Sequence, residues 1–308
     1  MPPAFVRWPT SAMCRAVRVG HVEFTKGEGT GNDFVILADA EGTLNLTESL
    51  VRALTDRHIG IGANGILRAV RTATAAVQEP ELADQVGQAE WFMDYRNADG
   101  SLAQMCGNGA RVFTRWLVAN GWAAAGEIVI ATRGGLRTTK TPQSGDVSID
   151  MGTAQTLQIR LMPHVTVGSQ TWPGLGVHIP NPHLVAYVDD EKTLAELDLS
   201  QAPEVNAGPA FPDGVNVEFV VSRGTRHVGM RVHERGVGET LSCGTGAGAV
   251  MVAAAARDQE PTVTSYQVDV PGGTLTVSRS SDDHIHLMGP ANLVARGTVD
   301  AAWLESHR

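Results

Sequence analysis

The chain has 308 residues, of which 43% are hydrophobic and 19% charged, which is typical of a soluble globular protein with room for two domains. The formal net charge is −9, and no block of Lys and Arg stands out, so we expect no nucleic-acid partner. The sequence has no run of 18 apolar residues and only three cysteines, which argues against a membrane span and a disulfide scaffold and favours a cytoplasmic protein.

The first segment, residues 1–20, lacks the long apolar run of a secretory signal. We expect it to form a poorly ordered N-terminal extension, or to precede a true start at Met13. Cys14 lies in this segment, and we expect no functional role for it.

Three helices are predicted, each with a recognisable N-terminus. They follow Thr47, Cys106 and Cys243. The second helix carries one apolar stripe and ends at Asn120-Gly121, whereas the third is apolar on all sides over residues 247–254. A helix without a polar face is normally buried inside a protein.

Short β-rich segments, separated by turn pairs, predict strands throughout the chain. The predicted strands are residues 34–37, 91–95, 128–131, 147–151, 215–221, 228–232, 266–270, 275–277 and 285–288. Because strands outnumber helices and do not alternate strictly with them, we expect an α+β fold rather than a doubly wound sheet.

A five-residue motif occurs twice, once in each part of the chain. Residues 106–110 read Cys-Gly-Asn-Gly-Ala and residues 243–247 read Cys-Gly-Thr-Gly-Ala. Each motif precedes a predicted helix and then a β-rich run that contains a pair of glycines, Gly134-Gly135 or Gly272-Gly273. Similarity at a fixed offset indicates a repeated architecture.

The repeat predicts two pseudo-symmetric domains, each a curved sheet or barrel around its cysteine-led helix, with an active site in the cleft between them. We expect the boundary near residues 145–150. The first half is predicted to span residues 21–148 together with a C-terminal segment, 292–308, and the second half residues 149–291.

A cysteine at a helix start lies beside unpaired backbone N–H groups and the positive end of the helix dipole. This position is expected to lower the pKa of the thiol and favour the thiolate, while the glycines let a carboxylate approach the backbone amides. Two such cysteines, Cys106 and Cys243, facing one carbon from opposite sides, could invert a stereocentre without a cofactor or a metal.

The alternative for a free cysteine is a small buried hydrophobic residue, which is its usual state. The duplicated context of Cys106 and Cys243 favours the catalytic interpretation. The glycines at 244 and 246, with Ala249, also fit a loose dinucleotide-binding pattern, but no acidic residue follows at the required spacing.

Further motifs surround the two cysteine motifs and identify a family when taken in this order. They are Gly29-Thr30-Gly31-Asn32-Asp33-Phe34, Asn97-Ala98-Asp99-Gly100-Ser101, Asn181-Pro182-His183, Gly214-Val215-Asn216, Glu234-Arg235-Gly236-Val237-Gly238-Glu239-Thr240 and Pro271-Gly272-Gly273. The chain resembles the diaminopimelate epimerase family from about Phe24 to about Val299. The family enzymes belong to lysine and peptidoglycan precursor biosynthesis and need no pyridoxal phosphate.

The resemblance implies roles for individual residues. Cys106 and Cys243 would be the acid–base pair, with Cys243 as proton acceptor and Cys106 as donor in the direction from L,L- to meso-diaminopimelate. His183 and Glu234 would tune the cysteines. The implied substrate-binding residues are Asn32, Asn97, Gly107, Asn108, Asn181, Asn216, Glu234, Arg235, Gly244 and Thr245. A homodimer is what the family suggests.

Two positions depart from the family pattern, namely Asn64, where an Asp is usual, and Glu28, where a His is frequent. Two rival interpretations stay open at this point. One is a proline racemase-like enzyme, whose ligand would have no distal amino-acid end for Arg235 to bind. The other is a redox-sensing protein, in which the two thiols would form a disulfide.

Overall fold

The structure is a computed structural model, and it describes residues 22–159, 162–260 and 263–307. The predictions for residues 1–20, including Met13 and Cys14, lie outside these residues. Within the described part of the chain, none of the helices is long and apolar enough to cross a membrane.

The elements of the first part of the chain are seven strands and three α-helices within the described residues, with a 3₁₀ turn at Pro80–Gln85. They are β1 (Val22–Gly29), β2 (Asn32–Ala38), α1 (Glu48–Thr55), β3 (Gly65–Arg71), α2 (Thr72–Gln78), β4 (Trp91–Asn97), α3 (Gly107–Ala119), β5 (Gly126–Ala131), β6 (Arg137–Thr141) and β7 (Val147–Thr153).

The remaining elements follow a similar order, with a 3₁₀ turn at Gly208–Ala210. They are β8 (Gln155–Thr156), β9 (His164–Val167), β10 (Gln170–His178), β11 (Pro182–Tyr187), α4 (Glu191–Glu196), β12 (Glu204–Asn206), β13 (Asn216–Gly224), β14 (His227–Glu234), β15 (Gly238–Thr240), α5 (Gly244–Arg257), β16 (Thr264–Val270), β17 (Gly273–Arg279), β18 (His284–Gly289), β19 (Asn292–Val299) and α6 (Ala301–Ser306).

The pairing of the strands occurs twice in the same order. From β1 to β7, the neighbours β1–β2 are antiparallel, β2–β3 parallel, β3–β4 antiparallel, β4–β5 parallel, and β5–β6 and β6–β7 antiparallel. The same series of directions joins β10, β11, β13, β14, β16, β17 and β18. The two runs of strands are therefore related by a repeat, as the two cysteine motifs predict.

The two runs also exchange strands at their edges. After β7, the short strand β8 pairs with β10 at the start of the second run, and after β18, β19 pairs with β1 at the start of the first. The last strands of the runs, β7 and β18, pair with each other. The chain thus crosses between the two runs at corresponding points, and one continuous set of backbone hydrogen bonds joins them.

Each run of strands curves around one central helix. Helix α3 contacts β1, β2, β6, β7 and β19, and helix α5 contacts β10, β11, β13, β16, β17 and β18. Because a sheet buries one face, wrapping it around a helix gives each run its own core. This arrangement confirms the predicted α+β class with a helix at the centre of each half.

The predicted apolar stripe on α3 is buried, but the polar face of the helix is buried as well. Every residue from Gly107 to Val118 is buried, including the polar side chains of Arg111, Thr114 and Arg115. The sheet surrounds the helix, so its polar side chains must find partners inside: Arg115 donates to the backbone carbonyl of Gly145, and Thr114 to that of Ala110. Helix α5 is buried all round, as its composition predicts.

The predicted helix start at Thr47 is confirmed, since its Oγ1 accepts a hydrogen bond from the N–H of Leu50 at 3.1 Å. All nine predicted strands lie within observed strands, apart from the leading Val215 of the segment 215–221. The strands that the sequence did not predict include β3, which is buried along nearly its whole length, and β6, which reads Arg-Thr-Thr-Lys-Thr. Neither shows the alternation of apolar and polar residues that marks a half-buried strand.

Candidate active site

Both cysteines of the repeated motif are helix N-caps. Cys106 precedes α3 and Cys243 precedes α5, each with extended backbone angles. The sulfur of each accepts a hydrogen bond from the backbone N–H three residues later, Gly109 or Gly246, at 3.4 Å in both cases. A capping side chain satisfies an N–H group that the helix leaves unpaired, so each thiol is fixed at the positive end of a helix.

The two helix N-termini meet. A Cβ atom placed on Gly244 would lie 3.7 Å from the Cα of Gly107 and 3.6 Å from Oδ1 of Asn108. Both glycines also pack against the side chain of Leu287 on β18. Glycine at these two positions allows the backbones to approach this closely. The first turns of the two cysteine-led helices therefore share one region of the molecule, where the two halves meet.

Burial changes the chemistry that the sequence predicts for the thiols. Desolvation raises the pKa of Cys106, and it raises the pKa of Cys243 well above the ordinary thiol value. Hydrogen bonds from backbone amides lower both values, but burial outweighs them. The expectation of a lowered thiol pKa was therefore wrong for this structure: without a ligand, both cysteines rest as neutral thiols, and both are free of disulfide bonds.

Glu234, at the end of β14, acts on both cysteines. Its negative charge raises the pKa of Cys106 and of Cys243. Burial in turn raises the pKa of Glu234 itself, against hydrogen bonds from Thr240 (Oγ1 to Oε1, 2.5 Å) and Cys243 that lower it. The charge of Glu234 thus acts on both thiols, and its role in tuning them for catalysis stays a prediction.

The first half contributes two of the predicted asparagines. Asn32, the first residue of β2, directs its Nδ2 towards the sulfur of Cys106 at 3.7 Å, and its Oδ1 is buried without a partner among the described residues. Asn97, the last residue of β4, closes the turn to Ser101 through its backbone N–H and through Nδ2. Asn32 therefore borders the thiol directly, whereas the visible bonds of Asn97 are those of a turn residue.

The second half places the remaining predicted residues at the starts and ends of its strands. Asn181 precedes β11, and its Oδ1 lies 3.0 Å from Nε2 of His183. Asn216, the first residue of β13, accepts a hydrogen bond from the backbone N–H of Arg235 at 2.9 Å. The guanidinium of Arg235 donates to the carbonyl of Asp213 at 3.0 Å, so it is turned towards the preceding loop. Thr245 lies 3.4 Å from the sulfur of Cys243 through Oγ1.

A polar bridge, missed by the sequence reasoning, joins the two cysteine motifs. Asn108 donates through Nδ2 to the carbonyl and the hydroxyl of Ser242 at 3.2 Å, and Ser242 also lies 2.8 Å from the hydroxyl of Thr30. Arg111, fully buried, donates to Oδ1 of Asn108 at 2.7 Å. The side chain of Asn108 is thus occupied between the halves, and its backbone N–H interacts with the sulfur of Cys106.

Tyr95 on β4 is a further site residue that no motif indicated. Its ring packs edge-on against Phe34, and burial raises the pKa of its hydroxyl well above the ordinary value, with the negative charge of Glu234, and that of Cys106 when it is a thiolate, adding to the effect. Tyr95 therefore lies near groups from both halves. The only signal for Tyr95 in the sequence is that it lies two residues before Asn97, which begins the motif Asn97-Ala98-Asp99-Gly100-Ser101.

The two departures from the family pattern have structural partners. Glu28 accepts hydrogen bonds from the N–H of Gly31 at 3.0 Å and from Nδ2 of Asn292 at 2.5 Å, so it fastens the loop before Asn32 to β19. Asn64 accepts from Arg57 at 2.6 Å through its side-chain carbonyl. An asparagine keeps the acceptor that a carboxylate would offer to Arg57, which supports a structural role at this position.

The comparison of the sequence with protein families gives one result over nearly the whole chain. The profile of the family described as diaminopimelate epimerase matches residues 24–157 and 176–294. A diaminopimelate epimerase of Streptomyces coelicolor is 50% identical over 293 residues, covering 92% of this chain and 97% of the relative. One of Mycolicibacterium smegmatis is 45% identical, covering 91% and 97%.

Solved structures with similar folds are more distant in sequence. A phenazine biosynthesis protein of the PhzF family from Bacillus anthracis superposes with a TM-score of 0.68 at 14% identity, covering 91% of this chain and 99% of the other. A hydroxyproline epimerase from Agrobacterium vitis gives 0.58 at 11% identity, covering 91% and 92%. At these identities the likeness concerns the fold alone. The family profile, the relatives and the site together establish that the chain belongs to the diaminopimelate epimerase family.

Proposed function

We propose that this chain interconverts L,L-2,6-diaminopimelate and meso-2,6-diaminopimelate by a two-base proton transfer at one α-carbon, in the biosynthesis of lysine and peptidoglycan precursors. The observation that carries the proposal is the pair of cysteine N-caps, Cys106 and Cys243, on helices whose first turns abut. The family membership supplies the substrate. We further propose that the reaction needs neither pyridoxal phosphate nor a metal.

In the direction from L,L to meso, Cys243 as thiolate removes the α-proton and the thiol of Cys106 delivers a proton to the opposite face. The roles are exchanged in the reverse direction, so the enzyme returns in a form ready for the other isomer. Negative charge develops on the reacting carboxylate, and the amides that follow each cysteine, at Gly107-Asn108 and Gly244-Thr245, are placed to stabilise it.

The raised thiol pKa values place a condition on this mechanism. A proton must leave a thiol that burial keeps neutral, so the substrate has to supply compensating charge. The α-ammonium group of the substrate is such a charge, and closing the site around it would stabilise a thiolate beside it. Substrate binding would then itself convert the catalytic thiol to the thiolate that acts as the base.

The binding of the distal amino-acid end is assigned to neutral amides and one cation. We propose that Asn97, Asn181 and Asn216, with Glu234 and Arg235, hold this end, and that Asn32 serves the reacting end beside Cys106. A site built from such hydrogen-bonding groups rejects an amino acid that lacks the distal end, because the groups would be left unpaired.

The organisation around the site is part of the same proposal. We assign residues 21–148 with the C-terminal segment 292–308 to one half and residues 149–291 to the other. The pairing of β19 with β1 supports the C-terminal segment, whereas β7 (Val147–Thr153), the last strand of the first run, extends the first half to about residue 153. A homodimer in the cytoplasm is what the family suggests for the working enzyme.

The decisive experiment measures deuterium incorporation from heavy water into L,L-diaminopimelate, with proline as the comparison substrate. In the first turnover we expect incorporation at only one α-carbon of diaminopimelate; later turnovers can label the other, because the two ends of the L,L isomer are equivalent. Cys106→Ser and Cys243→Ser should each lower kcat by about a hundredfold to ten-thousandfold, the range that one acid–base group contributes. Either variant should still allow slow elimination from a halogenated analogue.

Thr166→Ala, on the exposed hairpin of β9 and β10, provides a control that should keep full activity. Full epimerisation by either serine variant would exclude the two-base mechanism. Turnover of proline in place of diaminopimelate would assign the chain to a racemase of the same fold, and loss of activity on dialysis against a chelator would contradict metal independence.

A further inference from the structure

The two halves of the molecule differ in what lies beneath their cysteine-led helices. The repeat makes β2 and β3 equivalent to β11 and β13. In the first pair of strands Phe34 is opposite Gly65, and in the second His183 is opposite Asn216. Phe34 therefore corresponds to His183. Two residues beyond Gly65 and Asn216, Leu67 corresponds in the same way to Glu218.

The contacts of the helix glycines confirm that Leu67 and Glu218 are equivalent. A Cβ placed on Gly109 would lie 3.3 Å from Leu67 and 3.4 Å from Phe34, and one placed on Gly246 would lie 2.7 Å from Oε1 of Glu218. Apolar side chains thus support the N-terminus of α3, whereas an ionisable pair supports that of α5. All four side chains are fully buried.

The pair of His183 and Glu218 is costly to bury, so its presence calls for a reason other than stability. Nδ1 of His183 lies 2.6 Å from Oε1 of Glu218, and Oε2 of Glu218 has no hydrogen-bond partner among the described residues. Replacing a buried ion pair with apolar side chains is often neutral or stabilising. The first half shows that this fold accepts Phe and Leu at the same two places.

His183 also contacts Asn181, through the ring nitrogen that does not face Glu218. Nε2 of His183 lies 3.0 Å from Oδ1 of Asn181. Since Oδ1 and the carboxylate of Glu218 are both acceptors, both contacts are hydrogen bonds only when the pair holds two protons and is neutral overall. With its carbonyl fixed on His183, Asn181 has its amide NH₂ left to donate to a ligand.

Asn32, the equivalent of Asn181 in the first half, has the opposite arrangement. Its NH₂ group faces the sulfur of Cys106, and its Oδ1 is the atom without a partner in the described part of the chain. Phe34 has no polar atom with which to hold Asn32 in the way that His183 holds Asn181. The first half thus offers an acceptor, suited to an ammonium group, and the second half a donor, suited to a carboxylate.

We infer that Glu218 is a positioning residue, which acts through His183 to hold Asn181 with its NH₂ group towards the substrate and so makes the two halves of the site chemically different. This inference rests on the proposed function for the identity of the substrate. The need for a difference follows from the reaction, because a pseudo-symmetric site must still distinguish the reacting amino-acid end, beside Asn32, from the distal end, which we assign to Asn181.

The test replaces Glu218 with the residue that occupies the equivalent position in the first half. Glu218→Leu should lower kcat/KM for epimerisation by about a hundredfold, the effect of a misplaced binding group, and it should also lower the melting temperature, because it leaves His183 buried without its partner. Glu218→Gln keeps the shape, and its NH₂ group can donate to Nδ1 of His183 while Nε2–H of His183 donates to Asn181, so this variant should retain most of kcat/KM. Glu191→Gln removes a charge from the exposed pair with Arg223 and serves as the control.

A double-mutant cycle separates positioning from general damage. Asn181→Ala should cost much less in kcat/KM when introduced into Glu218→Leu than into the wild-type chain, because the amide is already released. If the two losses simply multiply, or if Glu218→Leu keeps wild-type kcat/KM, Glu218 does not act through Asn181 and the inference is overturned.

A measurement without substrate distinguishes this inference from the proposed function. A long-range ¹H–¹⁵N NMR spectrum at pH 7, with the His183 signals identified by their loss in His183→Phe, should show a protonated Nε2 in the wild type and a changed signal in Glu218→Leu. That result with no turnover of diaminopimelate would contradict the proposed function and support the positioning role. An unprotonated Nε2 in the wild type would contradict the positioning role alone.

Discussion

Cys106 and Cys243 each occupy a helix position where Ser, Thr, Asn or Asp is the usual cap. A thiol accepts hydrogen bonds more weakly than a hydroxyl or a carboxylate, and both sulfurs accept theirs at 3.4 Å. The cysteines therefore stabilise the helix N-termini less than the usual capping residues would, but their positions suit a catalytic thiol. Burial then keeps both in the neutral form until a ligand brings a charge.

The thiol environments predict the pH dependence of alkylation. Since the pKa of each cysteine is raised, the thiolate fraction at pH 7 should be smaller than that of a free thiol and should grow as the pH rises above the ordinary thiol range. Cys106 should gain reactivity at a lower pH than Cys243, whose pKa is raised further.

Mass spectrometry of each cysteine peptide after iodoacetamide treatment between pH 7 and pH 10 measures this order. N-acetylcysteine in the same tube supplies the reference rate. Faster reaction of either cysteine than the reference at pH 7 would show that amide hydrogen bonds, rather than burial, control the thiols.

At the scale of elements, the two glycine pairs make equivalent backbone hydrogen bonds but have different neighbours. The N–H of Gly134 donates to the carbonyl two residues before Cys106, and the N–H of Gly272 donates to the carbonyl two residues before Cys243, both at 2.9 Å. The surroundings differ, because a Cβ on Gly272 would lie 1.8 Å from the carbonyl oxygen of Thr30 in the other half. On Gly134 the nearest atom would lie at 3.4 Å.

Gly272→Ala should therefore destabilise the protein and lower its activity. Gly134→Ala should have a smaller effect on both stability and activity. The clash at Gly272 involves backbone that cannot move aside, so we expect a loss of about 2 kcal/mol or more in the free energy of unfolding, against about 1 kcal/mol or less at Gly134. Denaturant unfolding of both variants measures the difference. Equal losses would mean that the contact with Thr30 relaxes without cost.

At the scale of the whole molecule, the two halves are joined by backbone pairing rather than by a flexible linker. Strands β7 and β18 pair with each other, and β8 and β19 each complete the opposite half. Because each half needs a strand from beyond the crossing point, neither is complete as a continuous segment of chain. The candidate active site, with Cys106 and Cys243, lies where these two interdependent halves meet.

The pairing of β7 with β18 also brings two titratable side chains together. His284 on β18 lies 2.8 Å from Asp150 on β7, and the hydrogen bond that it donates to this carboxylate raises the pKa of His284. A raised folded-state pKa contributes stability that is fully present below the unfolded value, about 6.5, and is lost as the pH rises through the folded value. The wild-type melting temperature should fall more between pH 6 and pH 8.5 than that of Asp150→Asn.

The expected difference is about 1–2 °C, because a pair this exposed contributes well under about 1 kcal/mol. Differential scanning calorimetry at both pH values measures it. Identical pH dependence in the two proteins would mean that solvent screens the pair completely.

Much of the fold was predictable because it is written in local patterns. Thr47 as a cap, the apolar segment 247–254 and the alternating strands all follow from side-chain spacing within a few residues. Strand β3 and the buried polar side of α3 were not predictable, because whether Arg111 is exposed depends on the sheet that surrounds it. The same holds for the site residues Tyr95 and Glu218, which carry no motif.

The sequence by itself determined that there are two cysteine-led helix starts, one in each half, because a repeated motif is a property of the chain and needs no partner to be recognised. Only the tertiary structure decided how the two differ. The charge state of a thiol and the orientation of an amide depend on burial and on neighbours distant in the chain. Glu218 beneath Cys243, where Leu67 lies beneath Cys106, is one such neighbour.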